Sequence, residues 1–206
     1  MSRERVKRKK ARHDVKRAAI FAVAKQVFVK EGLEGASLRA IARACDYAPG
    51  ALYAYYASKE EIYADILRDS LERLHRAAAK GGLARDARRS LRGVVRAFYR
   101  FYRDNPHDLD LSLYIYQGLG PRGLTRELDE ELNAKLGVAI GIMTAALMRL
   151  RPRMRARECE MHQQTLLSGL MGVLVLQRTG RLSRLNGNPD RLVERHIDLT
   201  LKALAP

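Results

Sequence analysis

The sequence predicts an all-α protein of about nine helices, in which an N-terminal three-helix domain precedes a larger helical one. Three observations carry this prediction. Apolar residues recur at i, i+3 and i+4 through most of the chain, breakers rich in glycine, proline and asparagine divide the periodic stretches, and capping residues stand at several helix starts. With 206 residues, 47% of them hydrophobic and 30% charged, the chain has enough apolar material to bury a core.

In the first helix, expected from His13 to Glu31, Ile20, Val23, Ala24, Val27 and Phe28 form one stripe, and Gly32 stops it. Ser37 then caps a short second helix whose inward face is Leu38, Ile41, Ala42 and Cys45. A turn over Asp46 to Ala48 leads to Pro49, the first residue of a third short helix reaching about Tyr56. Two short helices joined by a tight turn behind a longer one give the outline of a helix-turn-helix. Ser58-Lys59-Glu60-Glu61 follows as a capping box, the serine side chain serving the Glu61 amide and the Glu61 carboxylate the Ser58 amide.

The helix begun there carries Ile62, Ile66, Leu71 and Leu74 toward Gly81-Gly82, and further helices are expected at about 84–104, 108–117, 122–150, 155–179 and 189–204. Asn105-Pro106, Gly118 to Pro121, Pro152 and Gly180 to Pro189 separate them, and Asn188-Pro189 reads as an N-cap with proline in the first turn. LDLSLYIYQ, Leu109 to Gln117, alternates like a strand, and Gly118 to Gly123 matches G-x-G-x-x-G. A dinucleotide fold needs several βαβ units and an acidic residue about 20 positions on. No second strand pattern exists and no Asp or Glu occurs between Glu131 and Glu158, so a short helix ended by glycine is expected, with no cofactor.

The formal charge of +16 and pI of about 10.3 point to a polyanionic partner, nucleic acid or an anionic membrane surface. Arg3, Arg5, Lys7, Arg8, Lys9, Lys10 and Arg12 crowd the start of the chain. Cys45 and Cys159 lie in helical segments without ligand spacing and read as buried free thiols. The five histidines are scattered, so no metal site is expected. No nucleophile elbow, pair of catalytic acids or phosphate-binding loop is present, and no enzymatic activity is expected. The basic start followed by AAIFAVA imitates a short signal peptide, but the helical spacing continues past Lys25. LGVAIGIMTAALM and TLLSGLMGVLVL fall short of the roughly 18 residues of a bilayer span, so core helices, no membrane partner and a cytoplasmic location are expected.

Residues 15–63, VKRAAIFAVAKQVFVKEGLEGASLRAIARACDYAPGALYAYYASKEEIY, resemble the DNA-binding domain of the TetR family of bacterial transcriptional regulators. The likeness lies in an Ala/Phe-rich first helix, a glycine, an I-A pair in the second helix, G-x-L-Y-x-Y in the third, and S-K-E-E. It implies a DNA-binding domain over 1–63 and a helical ligand-sensing and dimerisation domain over 64–206. It also implies that Tyr53 holds a phosphate, as the family's tyrosine does, and that Tyr56 is a core aromatic. Lys59, with the free amides at the next helix start, is expected to hold a second phosphate, and Tyr55 joins the same task. The full expected DNA-facing set is Arg3, Arg5, Ser37, Arg39, Tyr47, Ala48, Pro49, Ala51, Tyr53, Ala54, Tyr55 and Lys59.

The chain departs from the family pattern in the turn, where Asp46 stands in place of glycine and Tyr47 in place of a small aliphatic, and where Ala48-Pro49-Gly50-Ala51 replaces a serine cap with polar neighbours. The groove-facing Ala48, Pro49, Ala51 and Ala54 thus carry almost no hydrogen-bonding groups, leaving thymine methyls, bound water and DNA shape as the means of reading. The arm Arg3 to Arg12 has two readings: entry into a narrow minor groove, or a solvated, disordered tail adding non-specific attraction.

The resemblance further implies a homodimer through the last two long helices, with Leu166, Gly169, Leu170, Val173, Leu174, Leu192, Ile197 and Leu201 in a four-helix bundle. Phe98, Tyr102, Tyr114, Gln117, Met143, Leu147 and His162 combine apolar bulk with polar tips, as a site for an unidentified small-molecule effector would; the other reading is plain core residues, with His162 a satisfied core histidine. The expected function is a regulator of double-stranded DNA, a repressor released from a palindromic operator by a small apolar ligand. The alternatives are a ligand-independent architectural DNA-binding protein and a cofactor-dependent enzyme using the GLGPRG loop.

Overall fold

The computed structural model describes residues 3–117 and 124–205, and the side chains of Arg3 and of residues 114–117 lie outside that description. The G-x-G-x-x-G loop and the expected ligand residues Tyr114 and Gln117 therefore fall outside the described residues. The described residues form ten helices and no strand: α1 (Arg3–Gly35), α2 (Leu38–Ala44), a 3₁₀ helix (Pro49–Ala54), α3 (Lys59–Gly81), α4 (Ala87–Asp104), α5 (Pro106–Gln117), α6 (Arg126–Leu150), α7 (Ala156–Arg178), α8 (Arg181–Arg184) and α9 (Pro189–Ala203). The chain divides into two compact units, one of residues up to Ser70 with Asp110–Asn133, the other of Leu71–Leu109 with the residues from Ala134 onward.

In the first unit α1 starts ten residues before His13, because the Arg, Lys and Ala of the basic segment are all good helix formers and no breaker precedes Gly32. At Gly32 the backbone turns to φ 71°, which kinks the helix where the apolar stripe ends. Ile20, Ala24 and Phe28 are buried along α1, and the Phe28 ring meets Tyr63 edge-on at 5.1 Å. Helix α2 is capped by Ser37, whose Oγ accepts from the Ala40 amide at 3.1 Å. It ends with Asp46 at φ 57°, where the Asp46 and Tyr47 amides donate to the Arg43 and Ala42 carbonyls. That pairing is a Schellman motif with aspartate in the place where glycine is usual.

The third helix of the unit, expected from Pro49 to about Tyr56, is a 3₁₀ helix that ends at Ala54. Pro49 offers no amide, Gly50 is a poor helix former, and Ala48 has no side chain to cap the start, so six residues cannot sustain an α-helical ladder. The capping box at Ser58 forms with a one-residue shift: Ser58 Oγ accepts from the Glu61 amide at 3.2 Å, and Glu61 Oε2 accepts from the Ala57 amide at 2.7 Å. LDLSLYIYQ is helical within α5, with the Tyr63 hydroxyl donating to the Leu111 carbonyl at 2.7 Å. The Arg17 guanidinium pairs with Asp65, and Arg68 bridges Asp65 to Glu131 of α6.

The second unit is a helical layer in which α7 packs on α9 and α4 packs on both. Val94, Val95 and Phe98 of α4, Leu166, Leu170, Val173 and Leu174 of α7, and Val193, Ile197 and Leu201 of α9 are all buried. This corrects the expected dimer face: Leu166, Leu170, Val173, Leu174, Ile197 and Leu201 pack inside the chain, and Leu192 is half-buried. Gly169 serves the same internal packing, since a Cβ there would lie 2.8 Å from the His196 ring. An amphipathic stripe read from sequence marks the packed face of a helix without saying which chain packs on it. The exposed face of α7 carries Met161, Thr165, Ser168 and Gly172 at helical spacing, and α9 exposes Leu199.

Helices α3 and α4 meet backbone to backbone at Gly81 and Gly93, where a Cβ on Gly93 would lie 2.1 Å from the Gly81 carbonyl oxygen. Arg149 of α6 closes the same turn, donating to the carbonyls of Gly82, Ala84 and Arg85 and to Ser90 Oγ. Helix α6 also corrects the expectation about membrane spans, since by length and composition alone it could cross a bilayer. It lines the core with Ala139, Met143, Ala146 and Leu147 at helical spacing, as a packed helix does.

Opposite charges join α4 to α9: Arg92 contacts Glu194 at 2.5 Å and Asp198 at 2.7 Å, and Arg96 reaches Glu194 at 2.6 Å. Arg96 and then Arg92 hold the Glu194 carboxyl below the usual glutamate range, against the opposing effect of burial. A carboxylate with a depressed folded pKa stabilises above its unfolded value, about 4.3, and loses that contribution as pH falls through the folded one. Glu194→Gln is therefore expected to lower the melting temperature at pH 7, with the gap to the parent closing as pH drops below about 4. A gap that persists at low pH would show that the glutamate acts through packing.

Candidate nucleic-acid interface

The exposed end of the first unit is built on two buried anchors. Leu52, the inward residue of the 3₁₀ helix, is fully buried, and Tyr56 just beyond it is buried beside α1. Arg17 of α1 lies over the Tyr56 ring, 4.8 Å from its centroid, while its guanidinium holds Asp65 of α3. Burial pushes the Tyr56 phenol up, and the Arg17 guanidinium works against that shift. With the inward side fixed, the outward side is left to solvent: Ala48, Pro49, Gly50, Ala51 and Ala54 are exposed, and Tyr53 is 63% exposed.

All of the expected DNA-facing residues except Arg3 have described side chains. Tyr53 stands outward with its phenol in solvent. Arg39 is exposed on α2, and Arg43 is exposed one turn later. Ser37 is exposed but its hydroxyl is engaged as the α2 cap, and Tyr47 is half-buried behind the turn. Tyr55 is half-buried, its ring stacked on His13 of α1 at 4.8 Å and 29°. Arg5 is exposed on the helical extension of α1, and the Arg3 side chain lies outside the described residues.

Lys59 departs from expectation. Its ammonium donates to the carbonyls of Leu33 at 2.7 Å, Ala36 at 3.0 Å and Glu34 at 3.4 Å. These carbonyls belong to the last turn of α1, which ends at Gly35, and to the link to α2, where acceptors have no helical partners. All three ammonium protons thus have acceptors within the chain, and the lysine ties the start of α3 to the end of α1 rather than pointing at a phosphate.

Two contributors, His13 and Arg17, lie outside the expected set. Both fall on the face that continues through Ile20 and Ala24, at spacings of four, three and four residues, but as polar residues they drop out of an apolar stripe. Their role is legible only once Tyr55 and Tyr56 are seen beside α1.

Five of the seven expected effector residues, Phe98, Tyr102, Met143, Leu147 and His162, belong to the second unit. Phe98, Tyr102, Met143 and Leu147 are buried, and His162 is half-buried. A cleft of about 250 Å³ in that unit is lined by Leu71, Glu72, His75, Arg76, Lys135 and Val138 and shares no residue with that set. Among the described residues no cluster of histidine, cysteine and carboxylate could hold a metal. Cys45 is half-buried and Cys159 buried, and both are free thiols whose pKa burial raises.

Residues 20–66 match the family model for bacterial regulatory proteins of the tetR family. No curated protein sequence matches the chain. Solved structures that are similar include the TetR-family transcriptional regulator PfmR from Thermus thermophilus, at 24% identity and TM-score 0.70, covering 88% of this chain and 93% of that one. A TetR-family regulator from Bordetella parapertussis is similar at 23% identity and TM-score 0.67, with 90% and 93% of the two chains covered. The fatty acid degradation regulator FadR from Bacillus halodurans is similar at 18% identity and TM-score 0.67, over 90% of this chain and 94% of that one. The N-terminal region of this chain carries the tetR-family domain, and the chain has the fold of TetR-family transcriptional regulators.

Proposed function

We propose that the protein is a DNA-binding transcriptional regulator that reads a palindromic site as a homodimer. The observation that carries this reading is the outward 3₁₀ helix Pro49–Ala54, held by buried Leu52 and Tyr56 and presenting Tyr53 and a row of small apolar groups to solvent. In the major groove such a surface meets thymine methyls, while Tyr53 and Arg39 engage phosphates. The +16 charge supplies the attraction to DNA.

The dimer forms through the exposed α7 and α9 surface, where Met161, Gly172 and Leu199 leave apolar area uncovered. An isologous pairing of that face presents two reading heads related by a two-fold axis. The chain acts as a repressor, and its effector is a small acyl or aromatic molecule bound among Phe98, Tyr102, Met143 and Leu147. The similarity to a fatty acid degradation regulator supports the acyl class. An effector shifts DNA affinity only by the difference in its own affinity for the two states, about 2.7 kcal/mol for a hundredfold loss of binding.

Footprinting on fragments selected from random DNA tests the reading. The full chain is expected to protect two symmetric half-sites about one helical turn apart, and fatty acids or aromatic acids to remove the footprint. Leu199→Glu is expected to give monomers that leave no footprint at concentrations saturating for the parent. Diffuse protection by the parent would favour an architectural protein, and a dimeric Leu199→Glu would move the interface elsewhere.

Tyr53 and Lys59 are expected to separate cleanly. Tyr53→Phe leaves stability unchanged and weakens binding to all duplexes by a factor of about 10 to 100, one charge-assisted hydrogen bond's worth. Lys59→Met lowers stability by about 1–3 kcal/mol and leaves the salt dependence of binding as in the parent. A lysine variant that is stable but binds with a flatter salt dependence would restore Lys59 to the phosphate-contacting set.

A further inference from the structure

We propose that the first turns of α1, Arg3 to Arg12, form a rigid helical arm that binds the phosphate backbone of duplex DNA beside the reading helix. This rests on the DNA-binding reading and adds a second contact surface to it. Between positions 3 and 12 the chain carries seven Lys or Arg against the single Glu4. The segment is helical and its described side chains are exposed. At 100° per residue Arg5, Arg8, Lys9 and Arg12, continued by Lys16, line one face as a stripe, while Lys7 and Lys10 fall on the opposite side.

The root of the arm is fixed next to the reading surface. His13 stacks on Tyr55, and its Nε2 lies 3.5 Å from the carbonyl oxygen of Ala54, the last residue of the 3₁₀ helix. DNA engaged by the 3₁₀ helix therefore passes the base of the arm. An arm of ten residues is about 15 Å long, and duplex DNA offers one phosphate per roughly 3.4 Å of axis on each strand, so the stripe can meet about three or four phosphates.

Helical form also decides the mode of contact. An α-helix with side chains is about 10–12 Å across and the minor groove only about 6 Å wide, so this arm cannot enter the groove as an extended strand would. The like charges at i, i+4, Arg5 with Lys9, Arg8 with Arg12 and Arg12 with Lys16, repel along the stripe, and the Arg8–Glu4 pair at 2.8 Å relieves only part of this. A row of phosphates supplies the missing counter-charge. A lipid surface fits less well, because Val6 and Val15 are exposed but fall on opposite sides of the helix and build no apolar face to insert.

The test is equilibrium binding of the full chain to a mixed-sequence 30-base-pair duplex across a KCl series. Arg5→Gln/Lys9→Gln/Arg12→Gln is expected to flatten the slope of log K against log salt by about 2 to 3, three contacts at about 0.9 each. Ala11→Pro, which keeps every cation but breaks the helix, is expected to lose most of the same slope. A triple variant within one unit of the parent slope would overturn the arm, as would Ala11→Pro binding like the parent, which is the behaviour of a flexible tail. A triple variant that loses binding to phosphatidylserine vesicles but keeps the parent's DNA slope would assign the stripe to membranes and also overturn it. A parent that binds no duplex at all would instead overturn the DNA-binding reading on which the arm rests.

Discussion

The geometry of the first unit depends on how the end of α1 is closed. Helix α1 kinks at Gly32 and ends at Gly35, leaving carbonyls in its last turn that water or a cation must satisfy, and the Lys59 ammonium takes those of Leu33, Glu34 and Ala36. One charged group thereby fixes three things together: the exit of α1, the entry to α2 and the first turn of α3. The 3₁₀ helix is the segment between α2 and α3, so its placement follows from this tie and from the inward anchors Leu52 and Tyr56. A lysine that reads from sequence as a ligand for phosphate is what sets the frame for the residues that face outward.

Within that frame the reading surface is chemically spare. Ala48, Pro49, Gly50, Ala51 and Ala54 offer methyl and methylene groups but no side-chain donors or acceptors, and Tyr53 stands among them as the polar exception. A surface of this kind discriminates bases by contact with thymine methyls and by the shape of the groove. Small side chains also allow close approach, which lengthens the reach of Tyr53 and of the α2 arginines to the backbone. The helical arm proposed above suits such a head, since charge would supply the affinity that sparse base contacts do not.

Most of the helix order is legible in the sequence because caps and breakers are local. Ser37, Ser58 and Asn188 each cap the helix that follows them, and Asp46 adopts the left-handed conformation that its place in the turn requires. What stays hidden depends on partners distant in sequence. Leu166, Leu170 and Leu174 show a helix face that must be covered, but only the packing of α7 on α4 and α9 reveals that the chain covers it itself. Lys59 binds carbonyls more than twenty positions away, and His13 meets Tyr55 across forty-two, spacings on which no local pattern reports. The helical start of α1 is hidden for a different reason: charged residues of high helix propensity carry no apolar periodicity.

The central claim is that this head reads DNA with apolar groups, and base-analogue substitution in a selected binding site tests it directly. Replacing thymine by uracil removes only the C5 methyl, whereas replacing guanine by 7-deazaguanine removes a major-groove acceptor. Uracil at the positions under the 3₁₀ helix is predicted to weaken binding about 3- to 10-fold per critical base, with 7-deazaguanine nearly neutral. Loss of affinity with 7-deazaguanine and none with uracil would contradict the account, because it would require hydrogen-bonding groups that Ala48, Pro49, Ala51 and Ala54 do not possess.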